Sequence, residues 1–309
     1  MTPKPFNLND AVQGVINHFQ NRLSGEADVR GLSTGYPEID MSAKGLKPGE
    51  VFVIAGRPSM GKTTLMLNIV EYICIDQKIP VMIVSCGQTA ADVVGRIIFS
   101  RAGFALSRLD SGDVPTPGDL ERIHRAATDT LNARLIVDDA IFSIEDLRDQ
   151  VRHHMREENI GFIAIDHLQL LMLDAVLVGA TRNREVSIVL SGIKSLAREF
   201  GVPILILAEL NRRPERRKDQ FMGVPRLSDL RSDKTIIKYA DLIGLLYREV
   251  FYNETVEEEN GKGSPAKLIL SNLRQIGISE VSLTFHPERR RFDSTDKTND
   301  QAARNAPIQ

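Results

Sequence analysis

Residues 51–63 read VFVIAGRPSMGKT, an apolar run followed by a loop bounded by two glycines, a lysine and a threonine. The loop fits the spacing G-x-x-x-x-G-K-[ST], and it lies directly between a strand pattern and a helical pattern. A turn of this kind directs backbone N–H groups and the positive end of a helix dipole at a phosphate. The stretch therefore predicts a nucleotide-binding loop, whose residues are Gly56, Arg57, Pro58, Ser59, Met60, Gly61, Lys62, Thr63 and Thr64.

A second part of the expected phosphate site is FIAID at 162–166, an apolar strand pattern that ends in a carboxylate. Lys62 is expected to reach the β- and γ-phosphate oxygens of ATP, and the Thr63 hydroxyl is expected to bind Mg²⁺. Asp166 is suited to hold the same ion, because Mg²⁺ prefers oxygen ligands. Asp138 and Asp139 end another strand pattern in the same way, and we interpret them as solvated or helix-capping residues.

Around the loop, short apolar runs alternate with helical patterns. The strand patterns cover residues 51–56, 81–85, 135–139, 162–166 and 203–210, and the helical patterns cover 62–74, 89–102, 143–158 and 184–200. Runs that are apolar on both faces, each followed by a helix, indicate parallel strands. Three further strand patterns without helices between them lie at 240–249, 266–275 and 281–287. The expected fold class is α/β, a mostly parallel sheet with helices on both faces and an antiparallel C-terminal extension.

The two ends of the chain differ from this pattern. Apolar residues at spacings of three and four predict an amphipathic helix over 9–24, followed by a small polar linker. The apolar face of this helix needs a partner, which a neighbouring molecule can provide. The tail lacks apolar content and is expected to be disordered. The predicted domains are a linker helix and linker at 1–30, the α/β domain at 31–293 and the tail at 294–309.

Composition narrows the class of protein. The 309 residues are 42% hydrophobic and 26% charged, which is typical of a globular chain rather than a disordered or fibrous one. The longest apolar stretches have the length of strands, so no membrane partner is expected. Two cysteines make no disulfide framework and no apolar leader is evident, so we expect a cytoplasmic protein.

The net charge of −2 hides a basic segment, defined as residues 211–238. The segment holds nine Arg or Lys side chains against four acidic side chains. Phe221 is its one aromatic residue, so a nucleic-acid contact here would go through phosphates and would be indifferent to base sequence. A solvated basic loop that binds nothing is the alternative.

Several runs of the chain resemble one known family in unbroken order. They are GLSTGYPEID (31–40), GLKPGEVFVIAGRPSMGKTTLMLNI (45–69), IAIDHLQLL (163–171), LAREFGVPILILAELNRRPE (196–215), RLSDLR (226–231) and YADLIGLLYRE (239–249). The chain is similar to the C-terminal motor domain of replicative DNA helicases of the DnaB family, over about residues 7–293. The resemblance implies a RecA-like P-loop NTPase fold, an ATP-dependent DNA helicase activity in DNA replication, and a chain that holds the motor and linker only.

The resemblance also assigns residues. Lys62, Thr63 and Asp166 match the phosphate and magnesium ligands of the family, and Arg274 matches an arginine that reaches the nucleotide of the next subunit, although Asn272 has replaced a lysine. An arginine finger that acts across an interface implies assembly with further copies into a ring or filament, by resemblance a hexamer. The basic segment matches the loop that contacts single-stranded DNA, through Arg212, Arg213, Arg216, Arg217, Lys218, Arg231 and Lys234.

Two positions depart from the family pattern. The family usually shows Ser-Leu-Glu-Met after the second strand, where the glutamate polarises the attacking water, whereas this chain has Gly87 in place of that glutamate. At the end of the LILAEL strand, Glu209 replaces a glutamine that senses the γ-phosphate. Loss of a water-orienting residue lowers a rate by about 10²–10⁴. Glu209 is thus a candidate catalytic residue as a relocated base, or else a source of repulsion toward the γ-phosphate.

Two functions follow from these residues. The first is an ATP-dependent helicase motor, which the complete phosphate loop, Asp166 and Arg274 favour. The second is an ATP-binding paralogue with impaired hydrolysis that assembles with or regulates a catalytically competent helicase, which Gly87 and Glu209 favour.

Overall fold

The computed structural model describes residues 12–13, 16, 31–141, 143–168, 182–212, 214–217, 223–230, 233–252, 263–273 and 277–295. The strands are β1 Val51–Gly56, β2 Val81–Ser85, β3 Leu135–Asp138, β4 Phe162–Asp166, β5 Ile204–Glu209, β6 Leu242–Tyr247, β7 Ser264–Asn272, β8 Gly277–His286 and β9 Arg291–Ser294. The helices are α1 Pro37–Ala43, α2 Lys62–Glu71, α3 Ala90–Ala102, α4 Ser107–Asp110, α5 Pro117–Leu131, α6 Ile144–Glu157, α7 Arg182–Phe200 and α8 Asp233–Tyr239. A π-helical turn, Tyr72–Asp76, continues α2.

The strands form one sheet in the order β3-β2-β4-β5-β1-β6-β7-β8-β9. The first six strands in this order are parallel to their neighbours, and the pairs from β6 to β9 are antiparallel. The expected mostly parallel sheet with an antiparallel C-terminal extension is therefore confirmed. The extension begins one strand later than expected, because β6, in the pattern at 240–249, is parallel to β1.

Both faces of the parallel part of the sheet are covered. Phe52 and Ile54 of β1 belong to one apolar cluster, and Val51, Val53 and Ala55 belong to the cluster on the other face. Every residue of β1 is buried. Since successive side chains of a strand point to opposite faces, this burial explains why the strand reads as a continuous apolar run.

Helix α5 is an element that the apolar pattern did not predict. Its N-terminus has a capping box, in which the Asp119 backbone N–H donates to Thr116 Oγ1 (3.1 Å) and the Thr116 backbone N–H donates to Asp119 Oδ2 (2.9 Å). Pro117 takes the first helical position, where its missing N–H costs nothing. The signal Thr-Pro-x-Asp is thus readable in the sequence at the residues that begin the helix.

The predicted linker helix at 9–24 lies mostly outside the described residues. Val12, Gln13 and Ile16 are helical, and the side chains of Val12 and Ile16 are 48% and 43% exposed. At the other end β9 ends at Ser294, the residue at which we predicted the tail to begin, and residues 296–309 lie outside the described part. Among the described helices, none combines the length and the hydropathy that a bilayer span requires.

A buried carboxylate connects three elements near the end of α2. The Glu71 side chain is 2% exposed and accepts hydrogen bonds from Arg101 Nη1 of α3 (3.2 Å) and Arg291 Nη1 of β9 (3.1 Å). Arg101 also contacts Asp76 and Asp129 at 3.1 Å and 3.0 Å. Two guanidinium groups therefore share one buried carboxylate, and Arg101 has two further carboxylate partners.

We predict that Glu71→Gln lowers the free energy of unfolding by about 3–5 kcal/mol, because it removes the nearest carboxylate of the mostly buried Arg291 guanidinium and one of the three carboxylates that contact Arg101. Urea denaturation measures the change. Glu280→Gln is the matched control, since it removes the partner of Lys267 from a half-exposed pair and is expected to cost no more than about 1 kcal/mol. Equal losses for the two variants would contradict a structural role for the Glu71 network.

Candidate nucleotide site

The ends of four parallel strands bring the predicted site residues together at one edge of the sheet. Gly56 is level with Glu209 in the β1–β5 pair, and Ser85 is level with Asp166 in the β2–β4 pair. Strands β4 and β5 are themselves neighbours. The phosphate loop after β1, Asp166 and Glu209 therefore lie along the same carboxyl edge, which is where open α/β sheets bind ligands.

The phosphate loop turns sharply from β1 into α2. Ser59 and Gly61 have positive φ angles of 67° and 95°. A Cβ atom on Gly61 would lie 2.9 Å from the Phe292 ring, so glycine is required both by the backbone angle and by the space. Helix α2 begins at Lys62, and the N–H groups of its first turn have no acceptor within the helix. These groups point toward the loop and provide donors for an anion.

Lys62 lies folded over the loop. Its Nζ donates to the carbonyl oxygens of Gly56 (3.0 Å) and Arg57 (3.1 Å). Burial lowers the pKa of Lys62 from its ordinary value, and the carboxylates of Glu209 and Asp166 act in the opposite direction. The ammonium group is thus held in a partly desolvated site between two carboxylates, where a phosphate would compete for it.

Thr63 and Asp166 form the expected oxygen pair. Thr63 Oγ1 donates to Asp166 Oδ2 at 2.8 Å, and the Cys86 backbone N–H donates to the Asp166 carbonyl at 2.8 Å. A hydroxyl and a carboxylate oxygen at one point, beside an anion-binding loop, fit the oxygen donor set of Mg²⁺. By contrast, Asp139 accepts a hydrogen bond from the backbone N–H of Ala90, the first residue of α3, as expected of a helix-capping residue, whereas Asp138 accepts from the backbone N–H of Ala140 and closes a local turn.

No carboxylate follows β2 at the predicted water-polarising position, because that residue is the exposed Gly87. The turn is closed by Ser85 Oγ, which donates to the Gln88 carbonyl at 2.7 Å. Gln88 Oε1 accepts from Arg96 Nη1 at 2.8 Å, and Arg96 Nη2 lies 3.4 Å from Thr64 Oγ1 of α2. The sequence analysis did not identify Arg96, since a single arginine on a helix carries no motif.

Glu209 is placed as a neighbour of the phosphate loop. It is level with Gly56 and is the largest favourable charge partner of Lys62. A carboxylate in this position reduces the positive potential that Lys62 offers to a phosphate.

Arg57 connects the phosphate loop to the start of the basic segment. Its Nε donates to Glu215 Oε1 at 2.6 Å, and its Nη1 donates to the Leu210 carbonyl at 3.0 Å. The sequence analysis placed Arg57 in the loop but did not identify Glu215 as its partner, because the two residues are far apart in the chain.

The basic segment is only partly described. Arg212 is exposed, whereas Arg217 contacts both carboxylate oxygens of the fully buried Asp229 at 2.6 Å and donates to the Val224 carbonyl at 2.5 Å. The guanidinium of Arg217 is therefore bound within the chain and is not offered to a strand, which differs from its predicted role. Of the other expected DNA contacts, Arg213, Lys218 and Arg231 lie outside the described residues, and the structure describes only the backbone of Arg216 and Lys234.

Arg274 also lies outside the described residues, but the position of the end of β7, close to it in the chain, is described. Asn272 is level with Leu242, and Leu242 is level with Phe52 near the start of β1. A rise of about 3.3 Å per residue puts roughly 13 Å between Phe52 and Gly56. The end of β7 thus lies at the edge of the sheet opposite to the phosphate loop of the same chain.

Comparison with known proteins identifies the family. The family model of the DnaB-like helicase C terminal domain matches residues 31–294. The chain is 29% identical to the replicative DNA helicase DnaB of Geobacillus stearothermophilus, over 96% of this chain and 63% of that protein. It is 32% identical to a probable replicative DNA helicase of Trieres chinensis, over 87% of this chain and 58% of that protein. The chain therefore spans about three fifths of the length of these relatives.

Solved structures agree with this assignment. A solved ATPase domain superposes with a TM-score of 0.81 and 25% identity, over 92% of this chain and 98% of that one. A DnaB-like replicative helicase, described together with its interactions with primase, superposes with a TM-score of 0.80 and 26% identity, over 93% of this chain and 68% of that one. The predicted family and its RecA-like fold are confirmed, and the chain belongs to the family of DnaB-like helicase C-terminal domains.

Proposed function

We propose that the chain is the motor domain of a replicative helicase, which uses ATP to move along single-stranded DNA and to separate duplex DNA in the cytoplasm. The observation that carries the proposal is the contact of Thr63 with Asp166 beside Lys62, at the end of a loop with a complete phosphate-binding spacing. Family membership over most of the chain supports the same function.

Different residues of the site would bind the phosphates and the metal ion. The loop N–H groups and Lys62 would bind the phosphates, and Thr63 and Asp166 would hold Mg²⁺, whose charge would offset the negative charge of the phosphates. Because Lys62 already bonds to two loop carbonyls, a phosphate needs only to replace these acceptors. The ammonium group is therefore positioned before the nucleotide arrives.

The hairpin position supports a site completed by a second copy of the chain. Arg274 follows Leu273, whose backbone N–H donates to the Asp241 carbonyl at 3.1 Å, at the edge opposite to the phosphate loop. A residue that follows the end of β7 starts from the edge away from the nucleotide of its own chain, which favours a role for Arg274 at the nucleotide of a neighbour. This arrangement favours a ring, by resemblance a hexamer, in which Arg274 stabilises charge on the transferring phosphoryl group.

The proposed DNA contact comprises six basic side chains of the basic segment: Arg212, Arg213, Arg216, Lys218, Arg231 and Lys234. We leave out Arg217, since its guanidinium is bound to Asp229. Phosphate contacts of this type position a strand without reading its bases.

A groove between α6, α7 and α8 is a suitable site for the linker helix of a neighbouring subunit. Its walls include the apolar side chains of Ile144, Ile188 and Tyr239. Val12 and Ile16 of the linker helix carry exposed apolar side chains that need such a surface. We propose that helix 9–24 of one subunit packs into this groove of the next.

A second candidate function is favoured by Gly87 and Glu209. A chain that has no carboxylate at position 87 and an added carboxylate near Lys62 is expected to keep its binding of ATP but to hydrolyse ATP slowly. Such a chain assembles with a catalytically competent helicase and regulates it. Single-turnover ATP hydrolysis with and without single-stranded DNA separates the two functions, because stimulation by DNA is expected only of a motor.

We predict that Lys62→Ala abolishes binding of Mg·ATP, since it removes the ammonium group that lies over the loop. Isothermal titration calorimetry measures the affinity, and a circular dichroism melt checks that the variant is folded. An unchanged ATP affinity in a folded variant would refute the phosphate-loop assignment.

Glu209→Gln is expected to tighten ATP binding, because it removes a negative charge next to Lys62 while it keeps the shape of the side chain. Hydrolysis should stay low in this variant, since no base is added. The double variant Gly87→Glu with Glu209→Gln should raise single-turnover hydrolysis by about 10²–10⁴ if the glutamate orients water. A sharp loss of hydrolysis in Glu209→Gln, with unchanged ATP affinity, would instead identify Glu209 as a relocated base.

Removal of residues 1–30 is expected to shift the protein toward smaller assemblies, because the linker helix would no longer join neighbouring subunits. Multi-angle light scattering of the full chain and of a chain that begins at Gly31 measures the change. Identical mass distributions at equal concentration would rule out the docking role of helix 9–24.

Binding to oligo-dT is expected to weaken steeply with salt, with a log–log slope of about −0.7 for each neutralised phosphate. The variant Arg212→Ala with Arg213→Ala should reduce the slope, and oligo-dT and mixed-sequence strands should bind alike. Fluorescence anisotropy between low and physiological salt tests both points. A salt-independent affinity would mean that the basic segment is a solvated loop.

A further inference from the structure

We propose that the Arg57–Glu215 ion pair is the link that couples nucleotide binding at the phosphate loop to DNA binding at the basic segment. Arg57 is the second residue of the phosphate loop, and Glu215 lies among the arginines of the expected DNA contact. Their side chains meet at 2.6 Å, so one contact joins the two sites. The inference rests on the proposed function, since it takes phosphate to bind at one end and a strand at the other.

The Arg57 guanidinium is held at two points. Its side chain is 14% exposed, and it bonds to the Leu210 carbonyl as well as to the Glu215 carboxylate. Leu210 directly follows β5 and forms an isolated bridge with Leu230, which closes the base of the basic segment. Arg57 thus contacts both the base of the segment and a residue within it. A mostly buried arginine with two fixed acceptors holds one geometry better than an exposed ion pair does.

A phosphate changes the surroundings of Arg57 through the backbone. Lys62 Nζ donates to the Arg57 carbonyl, and the same ammonium group is the expected phosphate ligand. The ammonium group has three N–H donors, of which two serve the Gly56 and Arg57 carbonyls. Phosphate oxygens that draw the ammonium group toward the nucleotide weaken its bond to the Arg57 carbonyl, which calls for an adjustment of the peptide at Arg57. The side chain of Arg57 transmits this adjustment directly, because its guanidinium bonds to Glu215 itself.

The segment around Glu215 responds as a unit. Glu215 lies in the 3₁₀ turn Pro214–Arg216, and the Pro214 carbonyl accepts from the backbone N–H groups of Gly223 (3.1 Å) and Arg217 (3.4 Å). Arg217 in turn is fixed to the buried Asp229. A shift at Glu215 therefore moves the turn whose last residue is Arg216.

The expected direction of the coupling, which is tighter DNA binding when nucleotide is bound, follows from the ordering of the chain. A nucleotide that rigidifies the phosphate loop also rigidifies the segment bound to Arg57, so the strand that binds second has less to order. Coupling between two sites is reciprocal, and typical values change an affinity by about 5–150-fold. We expect Mg·ATPγS to tighten single-stranded DNA binding by a factor in this range, and DNA to tighten Mg·ATPγS by the same factor.

A double-mutant cycle tests the inference by binding alone. Fluorescence anisotropy gives the affinity for fluorescein-labelled oligo-dT with and without saturating Mg·ATPγS, for wild type, Arg57→Gln, Glu215→Gln and the double variant. Each single variant should reduce the ratio of the two affinities to about 1, and the double variant should lose no more than either single variant. Glu121→Gln, which removes the exposed i,i+4 partner of Arg125, is the matched control and should keep the wild-type ratio.

Two outcomes overturn the inference. The first is a wild-type ratio of about 1 or below. The second is a Glu215→Gln variant that keeps the wild-type ratio, whether its DNA binding is unchanged or is weakened equally with and without nucleotide, since equal weakening means a local DNA contact. The proposed function fails separately, when wild type binds no Mg·ATPγS in calorimetry or no oligo-dT in the absence of nucleotide.

Discussion

The structure depends on one constraint, which is that the carboxyl ends of parallel strands meet at a single edge of the sheet. Because β1, β2, β4 and β5 are parallel, the phosphate loop, Gly87, Asp166 and Glu209 all lie at that edge. The apolar residues on both faces hold the strands in register, so the short contact between Thr63 and Asp166 is fixed by the core rather than by the site. The burial of these apolar side chains therefore also sets the geometry of the proposed phosphate site.

The antiparallel extension has the opposite consequence. Strand β7 is antiparallel to β6, so its end lies at the edge away from the phosphate loop of the same chain. The phosphate loop and the end of β7 are the two halves of the proposed catalytic arrangement. They thus lie at opposite edges of the sheet and would face different neighbouring subunits. The proposed catalytic arrangement therefore needs a second subunit, and the exposed Val12 and Ile16 are candidates for holding adjacent subunits together.

Much of the fold was predictable, because buried parallel strands and the glycine-bounded loop have strong local patterns. Helix α5 was not predicted, since it is polar over most of its length and its signal is the cap at Thr116. The pairing of Arg57 with Glu215 and of Arg217 with Asp229 was not predictable either. A sequence shows how many arginines a segment contains. It does not show whether the guanidinium of each arginine is paired with a carboxylate of the same chain or is available to a partner.

The central claim is that the nucleotide site is completed by a neighbouring chain, and crosslinking between two differently tagged chains tests it most directly. One chain carries Ser59→Cys in the phosphate loop and the other carries Arg274→Cys in the hairpin, both with Cys74 and Cys86 replaced by alanine. The reagent is a bifunctional thiol crosslinker that is too short to reach from one edge of the sheet to the other, so it cannot join the two positions within one chain. The account predicts a crosslinked pair that contains both tags, formed in the presence of Mg·ATPγS. A single chain that carries both cysteines and crosslinks only to itself, with no product between chains, would contradict it.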